Sequence, residues 1–267
     1  MFVVKVPGIN GLGKTKGCEK AGNAILKTLK EEIYSNESGK IIEPAKLDLE
    51  EIHLDNSNLE LTNKLIYENA FETFEEKPKT VFLGGDHSVS YSLTRAFFDY
   101  CDNSGKEPCL IVFDAHPDLM PPMEYATHEE WLRKLIDDGF PTKNILLVGT
   151  RNFDKKELDF FKEKKIRLVS MNQLLGNLED SCDIIMEFSK NKELYVSIDI
   201  DVVDPAFAPG TGYVEPGGLT SREFLYIVQR INKVKNLRAI DIVEINPDND
   251  PSNKTVKLGA KILSELI

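Results

Sequence analysis

Short apolar runs rich in β-branched residues alternate along the chain with longer segments whose apolar residues recur at a helical spacing. These two patterns predict strands and amphipathic helices, respectively. The predicted strands are VVKV, TVFL, CLIVF, NILLVG, IRLVS, ELYVSID and LRAIDIV. The predicted helices include Glu19 to Tyr34, a helical stretch before TVFL, Val89 to Tyr100, 154–164, 180–190, 220–232 and 253–266. Because strands that alternate with helices are joined by right-handed crossovers, the pattern predicts a mostly parallel sheet of about eight strands.

The alternation continues along the whole chain without a linker rich in Ser, Gly or Pro, a low-complexity tract or an internal repeat. A length of 267 residues would allow two domains, but α/β folds of roughly this size often form one. With 41% hydrophobic and 29% charged residues, the chain has the composition of a globular protein with a large buried core. We therefore expect an α/β fold in a single three-layer domain over residues 1–267.

The net charge and the N-terminal residues restrict the partners. The chain has 33 Lys and Arg against 44 Asp and Glu, a net charge of -11, and no basic cluster that would bind a row of phosphates, which excludes nucleic acid. The acidic balance weakly favours a cationic substrate. The start, MFVVKVPGING, is too short for a signal peptide and nowhere do 18 apolar residues follow one another, so we expect a cytoplasmic protein without a membrane partner. The four cysteines form no C-x-x-C pair and are expected to be buried reduced thiols.

Asp and His residues follow three of the predicted strands at the point where each strand ends. In open parallel sheets, ligands bind beyond the carboxyl ends of the strands. Side chains two positions apart on an extended chain point to the same face, so an i, i+2 spacing brings potential ligands together. The three segments are GGDHS at 84–88 after TVFL, DAHPD at 114–118 after CLIVF, and Asp199-Ile200-Asp201 after ELYVSI.

These three segments together indicate a metal site, although each alone is more often a cap or a hydrogen-bonded turn. They would bury four carboxylates and two imidazoles in one cleft, and the carboxylates would repel one another unless two divalent ions balanced them. The ligands are nitrogen and oxygen without thiolate, which favours Mn²⁺ over a structural zinc. Two such ions, about 3.5–4 Å apart, lower the pKa of a shared water, so the predicted reaction class is metal-assisted hydrolysis.

Four motifs give the sequence a likeness to a known family. They are GGDHS at 84–88, DAHPD at 114–118, SIDIDVVDPAFAPGTGYVEPGGL at 197–219 and VEINP at 243–247. In this order they resemble the signatures of the ureohydrolase family, which includes arginases and agmatinases, and the stretch from Gly13 to Leu26 resembles the family's opening segment. The resemblance implies an arginase-like fold with two manganese ions. It implies that His87 and Asp118 serve one ion, that His116 and Asp201 serve the other, and that Asp114 and Asp199 bridge both.

The resemblance also implies a reaction and a substrate class. Glu244 would hold the guanidinium group of a small-molecule guanidino substrate, a role that suits a carboxylate facing a planar cation. Hydrolytic attack on the guanidino carbon would release urea and an amine, and Asp118 would relay to the amine the proton that it needs to leave. Members of the family commonly form trimers or hexamers, so a homo-oligomer is expected.

One segment departs from the family pattern. In arginases and agmatinases a His followed by Gly, in the loop after the DAHxD motif, assists proton transfer, whereas this chain has Thr127-His128-Glu129-Glu130. Thr127 and Glu130 are spaced as a capping box, which would make His128 the exposed start of a helix from Glu129 to Asp138. His128 is therefore open to two interpretations, a catalytic proton shuttle or an exposed helix start.

The far end of the substrate is the part that the sequence determines least. Asp154, in the segment Arg151-Asn152-Phe153-Asp154 after NILLVG, resembles an arginase residue that reaches the substrate's amino group, but its spacing to Glu157 also suits a helix cap. Glu124, in the unusual loop LMPPMEYAT, is a second candidate partner for an amine. Because Arg151 is the only evident cation for a substrate carboxylate, agmatine is favoured over arginine.

Three alternatives stay open. The chain could be an arginase or another guanidino or formimino hydrolase of the same family. A deacetylase-type amidohydrolase has a related architecture and an Asp/His site but normally uses one zinc, and the second set of ligands and VEINP disfavour it. A catalytically silent binding member of the fold is disfavoured because all six ligand positions are present.

Overall fold

A computed structural model of the chain describes residues 1–267, and its eight strands form one sheet. The strands are β1 Phe2–Val6, β2 Asp48–Glu51, β3 Thr80–Gly84, β4 Pro108–Phe113, β5 Ile145–Val148, β6 Arg167–Val169, β7 Glu193–Asp199 and β8 Leu237–Val243. They pair in parallel throughout, in the order β2-β1-β3-β8-β7-β4-β5-β6. The predicted α/β class with about eight strands is confirmed.

Nine α-helices cover the two faces of this sheet. They are α1 Ala21–Glu32, α2 Leu59–Glu76, α3 Val89–Asn103, α4 Trp131–Asp137, α5 Lys155–Lys164, α6 Met171–Gly176, α7 Leu178–Phe188, α8 Ser221–Ile231 and α9 Lys254–Leu266. Apolar side chains of α1 and α6 to α9 belong to one buried cluster, and those of α2 to α5 belong to a second. The sheet lies between the two clusters, which gives the predicted three layers.

The interior strands are apolar on both faces because helices cover both. β4 (PCLIVF) and β5 (ILLV) are buried at every position. Successive side chains of β4 enter different clusters, Ile111 and Phe113 on one face and Leu110 and Val112 on the other. Strands buried in this way are continuous apolar runs, which makes them easy to detect in the sequence.

Two elements are not predicted by the sequence pattern. β2 (DLEE) is exposed at every position and pairs only with β1 at the edge of the sheet, so it needs backbone hydrogen bonds and no apolar side chain. α6 has six residues and begins at a capping box between Ser170 and Gln173. It is too short for a helical period to become visible.

The four strands that carry the motifs lie side by side in the sheet, in the order β3-β8-β7-β4. Because they run in parallel, their carboxyl ends meet at one edge, where ligands of such sheets bind. The segments that begin at these ends or run through them are GGDHS, VEINP, SIDID and DAHPD. None of the helices is long and apolar enough to cross a membrane.

Candidate metal centre

Three carboxylates surround one imidazole nitrogen at the carboxyl edge of the sheet. His87 Nδ1 lies 3.0 Å from Asp114 Oδ2, 3.0 Å from Asp118 Oδ2 and 3.3 Å from Asp199 Oδ2. All four side chains are buried. The ligands expected for the first metal ion are therefore brought together.

A second group adjoins the first and shares one residue with it. His116 Nδ1 lies 2.9 Å from Asp201 Oδ2 and 3.7 Å from Asp114 Oδ1. Asp114 thus presents one oxygen to each group, the position expected of a bridging ligand. Asp199, the other expected bridge, has a ligand atom only in the group of His87 and Asp114.

The chemistry of these groups fits divalent cations better than protons. A single N–H at His87 Nδ1 can donate well to one carboxylate, not to three that surround it. His87 Nδ1 and Asp114 Oδ2 are buried and make no hydrogen bond that satisfies the usual geometry. Buried polar atoms are rarely left in this state unless an ion or another group satisfies them. The residues therefore fit two ions held by imidazole nitrogen and carboxylate oxygen.

Hydrogen bonds from two backbone N–H groups and one indole N–H orient the carboxylates. Asp114 Oδ1 accepts a hydrogen bond from His116 N at 2.6 Å, and Asp199 Oδ1 accepts one from Asp201 N at 2.8 Å. Asp118, whose φ is +51°, accepts one from Trp131 Nε1 at 2.7 Å. A non-glycine residue with positive φ is strained, and such strain is typical of functional sites.

A buried relay supports the far side of the His87 ring. His87 Nε2 is 2.9 Å from Ser197 Oγ, which donates to Asp241 Oδ1 at 2.7 Å. Asp241 Oδ2 also accepts from Ser90 Oγ and Tyr195 OH. Metal-binding His residues usually have such a partner on the second nitrogen. The sequence analysis missed Asp241, whose signal is a carboxylate inside the apolar strand LRAIDIV.

Repulsion among the carboxylates appears in their pKa values. Burial and then the charge of Asp114 raise the pKa of Asp118 to about 7. Burial, followed by the charges of Asp201 and Asp114, raises the pKa of Asp199 well above its ordinary value. Without cations, these carboxylates would take up protons, so the site has an excess of negative charge that metal ions would neutralise.

A cavity of about 440 Å³ opens over this centre. His116, Asp118, Asp199 and Asp201 line its floor, and Glu244 lines it beside them. The other residues that line the cavity are Met120, His128, Glu129, Asn152, Phe153, Asp154, Glu157, Thr211 and Tyr213. Seven of the lining residues are Asp or Glu, and none is Lys or Arg.

Glu244 is a buried carboxylate with no cationic side chain within 4.0 Å. Its φ is +62°, and its Oε1 accepts a hydrogen bond from His87 N at 2.9 Å. Burial raises its pKa well above the ordinary value, and the charge of Asp86 adds to the effect. A cation that entered the cavity would find in Glu244 an unpaired partner.

His128 is buried in the cavity wall, so its interpretation as the exposed start of a helix is wrong. Thr127 N does donate to Glu130 Oε1 at 2.9 Å, as the capping box predicts, but α4 begins only at Trp131. His128 therefore lies in a turn, with its ring 4.9 Å from that of Tyr213. Burial, and then the nearby charges of His87 and His116, lower the pKa of His128 to about 4.

The residues expected at the substrate's far end have different surroundings. Asp154 caps α5, with Oδ1 accepting from Lys156 N at 2.8 Å, and it also lines the cavity. Glu124 is exposed and is not among the lining residues. Arg151 donates to backbone carbonyl oxygens, including those of Asp201 and Pro216, at 2.8 and 3.1 Å. Its guanidinium therefore supports the loops of the site.

Comparisons with known proteins agree with this geometry. A family model described as Arginase family matches residues 2–267. The agmatinase of Bacillus subtilis (strain 168) is 31% identical over 223 residues, which cover 82% of this chain and 73% of that protein. Arginase 1, mitochondrial, of Oryza sativa subsp. indica is 31% identical over 206 residues, which cover 76% of this chain and 58% of that protein. This chain thus spans about 58% of the length of several plant arginases that it matches.

A solved structure of similar fold extends the comparison over almost the whole chain. Proclavaminate amidino hydrolase from Streptomyces clavuligerus has a TM-score of 0.86 and 26% identity, and the match covers 99% of this chain and 89% of that one.

Proposed function

The chain belongs to the arginase family, and from that premise we propose that it is a hydrolase that uses two manganese ions to cleave a guanidino compound into urea and an amine. We propose agmatine as the substrate. The agmatinase relative supports the choice, and so does the character of the cavity wall.

The unpaired carboxylate of Glu244 is the observation that carries the proposal. It is buried, lines the cavity with the metal ligands and has no cationic side chain within reach. A guanidinium group is a planar cation whose N–H groups match a carboxylate in charge and geometry. We infer that Glu244 holds the substrate so that its guanidino carbon faces the ligands.

The roles of the other residues follow from their positions. The two groups of Asp and His ligands would hold the divalent ions, which would lower the pKa of a water for hydrolysis. Asp118, which lines the cavity among the ligands, is assigned the proton relay to the leaving amine. His128 lines the cavity, and neither of its ring nitrogens has a hydrogen-bond partner within the protein, so it is available as a proton shuttle.

Manganese is proposed because the ligand set is rich in oxygen. The two groups provide two imidazole nitrogens and several carboxylate oxygens, without thiolate. Such sets suit Mn²⁺, whereas a structural zinc prefers thiolate and imidazole. Two adjoining groups that share Asp114 also favour two ions over the single zinc of a deacetylase-type enzyme.

Agmatine is favoured over arginine by the charge of the cavity. No Lys or Arg lines it, and Arg151, the candidate for a substrate carboxylate, donates to backbone carbonyls. A substrate with a guanidinium at one end and an ammonium at the other would meet carboxylates along its length. Arginase and the other guanidino and formimino hydrolases remain the alternatives within the family.

A urea-release assay on one manganese-loaded preparation tests the proposal. The panel contains agmatine, arginine, guanidinobutyrate, guanidinopropionate and formimidoylglutamate, which releases formamide. We expect kcat/KM to be highest for agmatine. A preference for arginine or for an anionic tail would contradict the substrate assignment, and no turnover of any compound would contradict the hydrolase, leaving a silent binding protein.

Three further expectations belong to the proposal. We propose that residues 1–267 act as one catalytic domain, supported by a single sheet and by a family match over residues 2–267. A homo-oligomer, trimer or hexamer, and a cytoplasmic location stay predictions. Sedimentation of the purified protein and fractionation of cells that express it are the measurements.

A further inference from the structure

We propose that Glu129 binds the far ammonium group of the substrate and thereby selects cationic tails. This inference rests on the proposed function, because it assumes a guanidino substrate held at Glu244. Glu129 lines the cavity, and it stands where the family pattern has Gly after the loop His. The departure therefore adds a carboxylate to the wall.

The backbone around Glu129 is held in place on both sides. Its N donates to Thr127 Oγ1 at 3.3 Å, and its carbonyl accepts from Met120 N at 3.2 Å. Glu130, buried next to it, accepts from Thr127 N. These three hydrogen bonds hold the turn that carries Glu129, so its side chain starts from a fixed point on the cavity wall.

Among the outer carboxylates of the cavity, Glu129 is the one without a structural duty. Glu157 accepts from Leu119 N at 3.0 Å with one oxygen and from Asp154 N at 2.9 Å with the other. Asp154 accepts from Lys156 N as the cap of α5. The partner of Glu129 is His128, 3.8 Å away, which is neutral at pH 7. Glu129 is therefore free to bind a cation.

Tyr213 connects Glu129 with the guanidinium site. Burial raises the pKa of Tyr213, and the charges of Glu129 and Glu244 raise it further, so both carboxylates lie within electrostatic reach of one phenol. The Tyr213 ring also lines the cavity. A dication that spans the two carboxylates would pass this ring.

Lys14 is a cationic side chain beside Tyr213 that could bind an anionic tail instead. Its Nζ lies 4.5 Å from the centroid of the Tyr213 ring, and the residue is exposed. If the natural substrate had an anionic tail, Lys14 would be its partner, and Glu129 would repel that tail. The two possibilities predict opposite responses to substitution.

The test compares Glu129→Gln with wild type on three substrates that differ only in the tail: agmatine, butylguanidine and guanidinobutyrate. For agmatine we expect KM to rise roughly tenfold with kcat within about twofold, because a remote ion pair contributes similarly to ground and transition states. Butylguanidine should be unaffected, and guanidinobutyrate should improve. Glu75→Gln, a matched change on an exposed residue of α2 outside the cavity, should leave all three unchanged.

An equal loss of kcat/KM for agmatine and butylguanidine in Glu129→Gln would assign Glu129 a structural role and overturn the inference. An unchanged KM for agmatine would also overturn it. A preference of wild type for guanidinobutyrate that Lys14→Met abolishes would likewise overturn it. If wild type released urea from none of the compounds, the proposed function itself would fail. That outcome is distinct, because it appears before any variant is compared.

Discussion

At the scale of single residues, the paired carboxylates use their two oxygens for different purposes. Asp114 and Asp199 each accept from the backbone N–H two residues ahead with one oxygen, and each faces His87 Nδ1 with the other. The hydrogen-bonded turn and the metal ligand, which the sequence presents as competing interpretations, are compatible in the same side chains. The turn fixes the direction of the carboxylate before an ion arrives.

The shared position of Asp114 gives a prediction about metal content. Asp114 presents an oxygen to both ligand groups, whereas Asp201 belongs to one. Asp114→Ala should therefore bind fewer than one ion per chain, and Asp201→Ala should keep about one. Elemental analysis after dialysis measures this, with circular dichroism to verify folding. Equal metal content in the two variants would contradict the bridging position.

Glu244 should respond differently, because it is assigned to the substrate. Glu244→Gln keeps the shape of the side chain and its acceptor for His87 N, but removes the charge that faces the guanidinium. We expect both metals to be retained and kcat/KM to fall by about 100-fold or more. Metal analysis and urea release on the same sample are the measurements. Normal turnover would show that the guanidinium binds elsewhere.

Asp241 is expected to hold His87 in position through Ser197. Asp241→Asn should weaken metal binding roughly 10- to 100-fold, the usual effect of removing a partner behind a metal ligand. Tyr195→Phe is the matched control, since it removes another hydroxyl from Asp241 and leaves the bond with Ser197. The control should lower thermal stability without changing metal affinity. Competition with a fluorescent chelator measures both variants, and the same affinity in both would refute the relay.

At the scale of elements, the sequence predicts the fully buried strands and misses the exposed edge strand β2. β4 and β5 stand out because every residue is apolar, while β2 (DLEE) is exposed at every position and three of its four residues are acidic. The capping contacts between Thr127 and Glu130 are predicted, but the start of α4 is not. Local hydrogen bonds are readable from spacing, whereas the point at which a helix begins depends on tertiary packing.

The same limit applies to the candidate site. The proximity of the candidate metal ligands is predictable because strand ends converge in any parallel sheet. The choice among loop carboxylates is not, since nothing in the sequence shows that Glu124 is exposed while Glu129 lines the cavity. Asp241 is hidden for a related reason, because its partners come from other segments of the chain.

Lys79, just before β3, gives a prediction about stability and pH. Burial lowers its pKa from 10.5 to about 8. Below pH 8 the folded protein carries the charged ammonium, and its partial burial lowers the free energy of unfolding. Between pH 8 and 10.5 the ammonium loses its proton in the folded chain but keeps it in the unfolded chain. The contribution of Lys79 to the free energy of unfolding therefore rises with pH. Lys79→Met should be more stable than wild type by on the order of 1 kcal/mol at pH 7. The advantage should shrink above pH 8.

Urea denaturation of the two proteins from pH 7 to 10 measures the effect of Lys79. Lys233→Met, which removes an exposed lysine nearby, is the control and should track wild type at every pH. A difference between Lys79→Met and wild type that does not change with pH would show that the ammonium is not penalised by burial.

At the scale of the whole molecule, one sheet edge gathers the motifs of four strands and the cavity above them. The net charge of -11 has a local counterpart in the seven acidic residues that line this cavity. In the proposed function, some of these carboxylates bind the metal ions and others bind the cationic substrate. The proposed function therefore depends on how many ions the folded chain holds.

A titration of metal-free protein with Mn²⁺, with bound metal and urea release from agmatine followed on the same samples, is the most direct test. We expect two ions to bind per chain and activity to appear as the sites fill. Saturation at one ion per chain, or full urea release from the metal-free protein, would contradict this expectation.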